Sequence, residues 1–156
     1  VTEVDQAEQQ RRALVSAGLL GAALRDIKSA ETLVETRDPD RAFTAAYLVQ
    51  QAAEKIAKAL LAHAGRLVTK EHRLAFNIQS LVDDPQRDAL KQFTRYDAYA
   101  TTARYPYPNG DLFPAPNIDE LKVDVAALRG RYQSTIARLE LPDPPAHARG
   151  ERSRQG

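Results

Sequence analysis

Ala46-Tyr47-Leu48-Val49-Gln50-Gln51-Ala52-Ala53-Glu54-Lys55-Ile56-Ala57-Lys58-Ala59-Leu60-Leu61 is the stretch from which the architecture is read. Val49, Ala53, Ile56 and Leu60 recur at steps of three and four residues, and Ala46, Ala52, Ala57 and Leu61 widen that stripe. This is the repeat of one helix face, not the alternation of a strand. The spacing predicts a helix from Arg41 to Ala64, closed by Gly65, a residue that tolerates the left-handed turn at a helix C-terminus. The many alanines let a neighbouring helix approach closely. The opposite face carries Gln50, Gln51, Glu54, Lys55 and Lys58. Glu54 and Lys58 stand at the favourable i, i+4 spacing, so a solvated polar face is expected there.

Outward from this run the helical repeat continues. Leu14, Ala17, Leu20, Ala23 or Leu24, Ile27, Ala30 and Val34 predict a first helix from about Gln6 to Thr36. Gly18 and Gly21 weaken it, each by about 1 kcal/mol relative to Ala. Asp38-Pro39-Asp40 breaks the pattern, with Asp40 the expected cap of the next helix. A short third helix is expected over Glu71 to Val82, and Asp83-Asp84-Pro85 opens a fourth that runs to Arg104. Tyr105 to Pro116 holds four prolines and a glycine and is not regular helix. Asn117 with Glu120 reads as a capping box for a fifth helix, striped by Leu121, Val125, Leu128, Tyr132, Ile136 and Leu139. The fold class is therefore all-α. A helical domain is expected over residues 1–141, followed by a disordered tail over 142–156, rich in Pro, Gly and Arg.

Composition narrows the chemistry. A chain of 156 residues is long enough for one core. The absence of cysteine removes disulfides, thiolate catalysis and Cys-ligated zinc. Three scattered histidines offer no metal site, and no cofactor is expected. No apolar run is long enough to span a membrane, and the acidic N-terminal residues do not read as a secretory signal, so a cytoplasmic location is expected. A net charge of +1 gives no overall attraction to nucleic acid, so binding requires a local patch.

Several stretches resemble the HEPN family (higher-eukaryote and prokaryote nucleotide-binding domain). They are the Ala46–Leu61 run, His72 a few residues before Leu81, and Thr102-Ala103-Arg104-Tyr105-Pro106. The resemblance implies an up-and-down bundle of four to five helices, usually a homodimer. It also implies a nucleotide- or RNA-binding component of a toxin–antitoxin-like pair, whose partner is a minimal nucleotidyltransferase. In the ribonuclease branch of that family an Arg is followed a few residues later by a His. Arg104 matches the Arg, but Asn109 stands where the His is expected. An amide hydrogen-bonds a phosphate yet is no general base. Two alternatives to the binding reading therefore stand, a metal-independent endoribonuclease with a variant Arg-Asn motif and a structural homodimer without ligand.

Arg104, Tyr105 and Asn109 are the leading candidates for a nucleotide or RNA cleft, joined by Asp97, Tyr99 and Lys58. Tyr99, Tyr105 and Tyr107 are read either as base-stacking rings or as packing for the proline-rich loop. Asp97 and Arg104, seven residues apart, share one face of the expected fourth helix, as a salt bridge or as the wall of a cleft. Arg66 precedes His72 at a similar Arg–His spacing, between helices rather than in the family's motif. His63 is expected at the surface near a helix end. Deleting residues 142–156 is expected to leave helicity and melting temperature unchanged to within a few degrees by circular dichroism, because the segment has little apolar area to bury.

Overall fold

The computed structural model describes residues 1–66, 68 and 70–141, and among these there is no strand. The expected tail lies outside the described residues. The elements are α1 (Glu3–Glu35), α2 (Pro39–His63), α3 (Leu74–Gln79), α4 (Arg87–Lys91), α5 (Asp97–Ala100) and α6 (Ile118–Leu139). Single 3-10 turns at Thr94–Tyr96 and Thr102–Arg104 flank α5. The fold is an all-α bundle in which α1, α2 and α6 pack on one another and α3 and α5 close a further side of α2.

The helix ends follow from their caps. Thr2 and Asp5 form a capping box that starts α1 three residues earlier than periodicity indicates. Asp38, not Asp40, caps α2: its side chain accepts from the Asp40 amide at 2.9 Å, and Pro39 takes the first turn, where no amide donor is needed. At the other end Gly65 adopts φ +72°, with Gly65 N donating to Ala62 O at 3.0 Å and Arg66 N to Leu61 O at 2.9 Å. These two bonds form a Schellman closure, as the glycine suggested. Asn117 caps α6 through the Glu120 amide at 3.0 Å.

The core is continuous along α2. Leu20, Ala23, Ile27, Ala30 and Val34 of α1 meet Ala42, Ala45, Val49, Ala52, Ala53, Ile56 and Leu60, all buried. Ser16 donates its hydroxyl to Ala59 O at 2.9 Å where the two helices lie close. Leu121, Val125, Leu128 and Tyr132 of α6 and Phe93, Tyr96 and Tyr99 complete the cluster. Arg129 grips Glu31 with two bonds of 2.8 and 2.6 Å, and that contact holds the Glu31 carboxyl below its usual range. Buried Asp124 accepts from Tyr96 Oη and from Arg95, which fixes the 3-10 turn to α6; burial and then the Asp124 contact push the Tyr96 hydroxyl pKa up.

The expected fourth helix is not one helix. Between Gln86 and Arg104 the chain forms α4, a 3-10 turn, α5 and a second 3-10 turn. Thr101, at φ −125° and ψ −99°, ends α5 outright. Large rings at Phe93, Tyr96 and Tyr99 must all reach the same core, and short segments aim them better than one straight rod does. The third helix is likewise shorter than expected, and His72 lies in the non-helical approach to it.

A candidate nucleotide or RNA cleft at Arg104

The break at Thr101 turns Arg104 back across the N-terminal half of α2. Its guanidinium lies over the Tyr47 ring, 5.9 Å from the centroid, and the residue is exposed. Among the described residues no carboxylate forms a salt bridge with it. Two hollows of about 340 Å³ meet at this side chain. One is lined by Phe43, Thr44, Tyr47, Tyr99 and Arg104. The other shares Phe43 and Arg104 and adds Tyr105, Leu112 and Phe113 among its walls. A planar cation beside aromatic faces supplies what a phosphate and an attached base require, charge-assisted hydrogen bonds for one and stacking for the other.

Of the candidates read from sequence, Arg104, Tyr105 and Tyr99 come together here. Tyr105 is 72% exposed at the rim. Tyr99 is a wall rather than an open stacking platform. Its ring stands edge-on to Phe43 at 5.3 Å and to Phe113 at 5.5 Å, and burial raises its pKa. Asn109 lines neither hollow. Its Oδ1 accepts from Asp111 N at 3.0 Å and its Nδ2 donates to Asp111 Oδ2 at 2.8 Å, so the side chain shapes the loop at Gly110.

Asp97 and Lys58 belong to a different arrangement, centred on the α2 face expected to be solvated. That face is largely buried: Gln50 is 0%, Glu54 4% and Lys58 8% exposed. Lys58 Nζ donates to Glu54 Oε1 at 2.6 Å, well inside the protein. Asp97 makes no pair with Arg104. Its Oδ1 accepts from Leu74 N at 2.8 Å and Gln50 Nε2 at 3.0 Å, and its Oδ2 from Ala75 N at 3.0 Å. Gln50 Nε2 also donates to His72 O at 2.6 Å, and His72 Nδ1 lies 3.2 Å from Glu54 Oε1. Arg66 donates instead to Ser80 O at 2.6 Å, so the Arg66–His72 pair does not form. His63 is exposed in the last turn of α2, as expected.

The HEPN domain model matches residues 17–125, from the middle of α1 into α6. The chain belongs to the HEPN family. No curated protein and no solved structure matches it. Membership supports a nucleotide- or RNA-related function. The HEPN match contains both the Arg104 hollows and the polar group around Glu54. No described helix is long and apolar enough to cross a membrane. Among the described residues no cluster of His, Asp and Glu has the geometry of a metal site.

Sequence reasoning passed over Phe43 and Tyr47, whose signal was an aromatic pair at i, i+4 ahead of the Gln-Gln run. It also passed over the contact of His72 with Glu54, which a linear sequence does not display. Asp97→Ala leaves two backbone amides and the Gln50 amide short of an acceptor. The expected cost is about 2–4 kcal/mol of unfolding free energy in urea titration, from hydrogen bonds to a charged group. Hydrogen exchange at Leu74 and Ala75 should accelerate more than at core amides of α2.

Proposed function

We propose that this HEPN domain binds a nucleotide or RNA through the Arg104 cleft, as the binding component of a toxin–antitoxin-like pair with a minimal nucleotidyltransferase. The observation that carries the reading is the exposed guanidinium without a carboxylate partner, set between two aromatic-walled hollows. An arginine kept for the fold would be neutralised or packed along its length, as Arg129 is by Glu31. The nucleotidyltransferase partner rests on the family resemblance alone. A symmetric homodimer fits the exposed Tyr105 and Leu112, the latter 80% exposed, at the rim of the cleft. The variant Arg-Asn ribonuclease draws no support from Asn109, which is engaged with Asp111 and has no group able to take a proton.

Fluorescence titration with mononucleotides and short single-stranded RNA tests the cleft. Arg104→Ala should weaken binding of the phosphate-bearing ligand about ten- to a hundredfold, the loss of about 1.5–3 kcal/mol expected for a charge-assisted contact. Unchanged affinity would remove Arg104 from the site. Sedimentation of the same samples at tens of micromolar should show a dimer, and monomer alone would sink that part of the reading.

A further inference from the structure

One carboxylate belongs to the Arg104 cleft. Asp40 lines the same hollow as Arg104, Phe43, Tyr105 and Phe113. Its backbone amide is taken by Asp38, which caps α2, so the Asp40 side chain is not needed to close that helix end. Among the described residues the Asp40 carboxylate forms no ion pair and accepts no hydrogen bond. Asp40 and Arg104 therefore share a hollow without neutralising each other. The space between its walls, about 340 Å³, is at the small end of ligand pockets, which run from about 300 to 1,000 Å³. Its occupant is a single nucleotide rather than a longer stretch of chain.

The walls of this hollow are held in place, because Tyr99 stands edge-on to both Phe43 and Phe113. Arg104 and the rings suit any nucleotide, since every base has a stacking face. The carboxylate is more selective. It only accepts hydrogen bonds, and two adjacent donors satisfy both of its oxygens. Of the four RNA bases, guanine alone carries two neighbouring donors on its Watson–Crick edge, N1–H and the 2-amino group. Adenine and cytosine set an acceptor beside their amino group, and uracil sets its one N–H between two carbonyls. Those acceptors repel a carboxylate.

We propose that the Arg104 cleft selects a guanine nucleotide, with Asp40 accepting from N1–H and the 2-amino group while Arg104 holds the phosphate. This rests on the binding reading above and names the class of its ligand. Asp40 is the specificity-determining residue and Arg104 the source of affinity common to all nucleotides. Because Asp40 is exposed, water competes for its oxygens, and the preference is moderate rather than absolute. A free guanine nucleotide and an unpaired guanine in RNA present the same edge and the same phosphate chemistry.

The test is titration of wild type, Asp40→Asn and Arg104→Ala with GMP, AMP, CMP and UMP, then with inosine and xanthosine monophosphates. Wild type should bind GMP about tenfold more tightly than the other three, the usual discrimination from one bidentate contact to a base. Inosine monophosphate keeps N1–H but lacks the 2-amino group, and it should fall between. Asp40→Asn should lose the guanine preference and favour xanthosine monophosphate, whose 2-oxo group accepts from the Asn amide. That gain also shows the variant to be folded. Arg104→Ala should weaken all nucleotides by a similar factor and keep the preference. Short RNAs with a single guanine or a single adenine distinguish the two sources of the ligand, and a preference for guanine in either form supports the proposal. Equal binding of all nucleotides and both RNAs by wild type, or a guanine preference unchanged in Asp40→Asn, overturns it and leaves the Arg104 cleft standing. A preference that needs Asp40, with affinity indifferent to Arg104→Ala, supports it and removes the phosphate grip instead. No binding of nucleotide or RNA by wild type overturns both.

Discussion

The amide of Gln50 is the point at which the parts of this bundle are tied together. It is fully buried on α2, and its Nε2 donates both to His72 O at 2.6 Å and to Asp97 Oδ1 at 3.0 Å. Its Oε1 accepts from Gln51 Nε2 at 2.6 Å. One side chain thus links α2, the approach to α3, and α5. The constraint behind it is the enclosure of α2, which buries 15 of its 25 residues. A polar group placed in such a helix must find partners inside the protein, because each one left unsatisfied costs about 1–3 kcal/mol. Gln50, Glu54 and Lys58 meet that requirement together. In doing so they fix segments too short to hold their own shape, since α3 has six residues and α5 four.

The long helices were legible because apolar period and capping chemistry agree along them. Asn117 before α6 and Gly65 after α2 behave as their residue types dictate. Asp38 took the cap from Asp40 because Pro39 suits the first helical turn, a preference local enough to have been read. The region from Gln86 to Arg104 was not legible as separate turns. Its apolar residues recur at helical spacing, and nothing local to Thr101 marks the break. The short segments are held by distant groups, Asp124 for one turn and Gln50 for another. Pattern reasoning along a chain does not see such partners.

The candidate site divides on the same line. Arg104 and Tyr105 were legible through the motif they occupy, and they lie together in the structure. Glu54 and Lys58 were misplaced, since an i, i+4 ion pair has the same sequence spacing on a wet face and on a buried one. What decides between them is the number of helices packed around α2, a property of the tertiary fold. Burial also changes what the pair does. At the surface it would contribute a few tenths of a kcal/mol. Inside, it holds a carboxylate rigidly at the base of an exposed imidazole.

The same packing accounts for the freedom of Arg104. In an unbroken helix Asp97 and Arg104 would sit about 10 Å apart along the axis. That is comparable with the Debye length at physiological ionic strength, so their attraction would be weak in any case. Direction and saturation decide the matter instead. Asp97 is filled by three N–H donors from Gln50, Leu74 and Ala75, which leaves it little capacity to draw a guanidinium. The break at Thr101 then swings Arg104 away from the axis of α5 and over Tyr47, where the ring face attracts the cation without neutralising it. Under the proposed binding, a phosphate would meet there a positive charge set against an aromatic surface, with no salt-bridged carboxylate to displace.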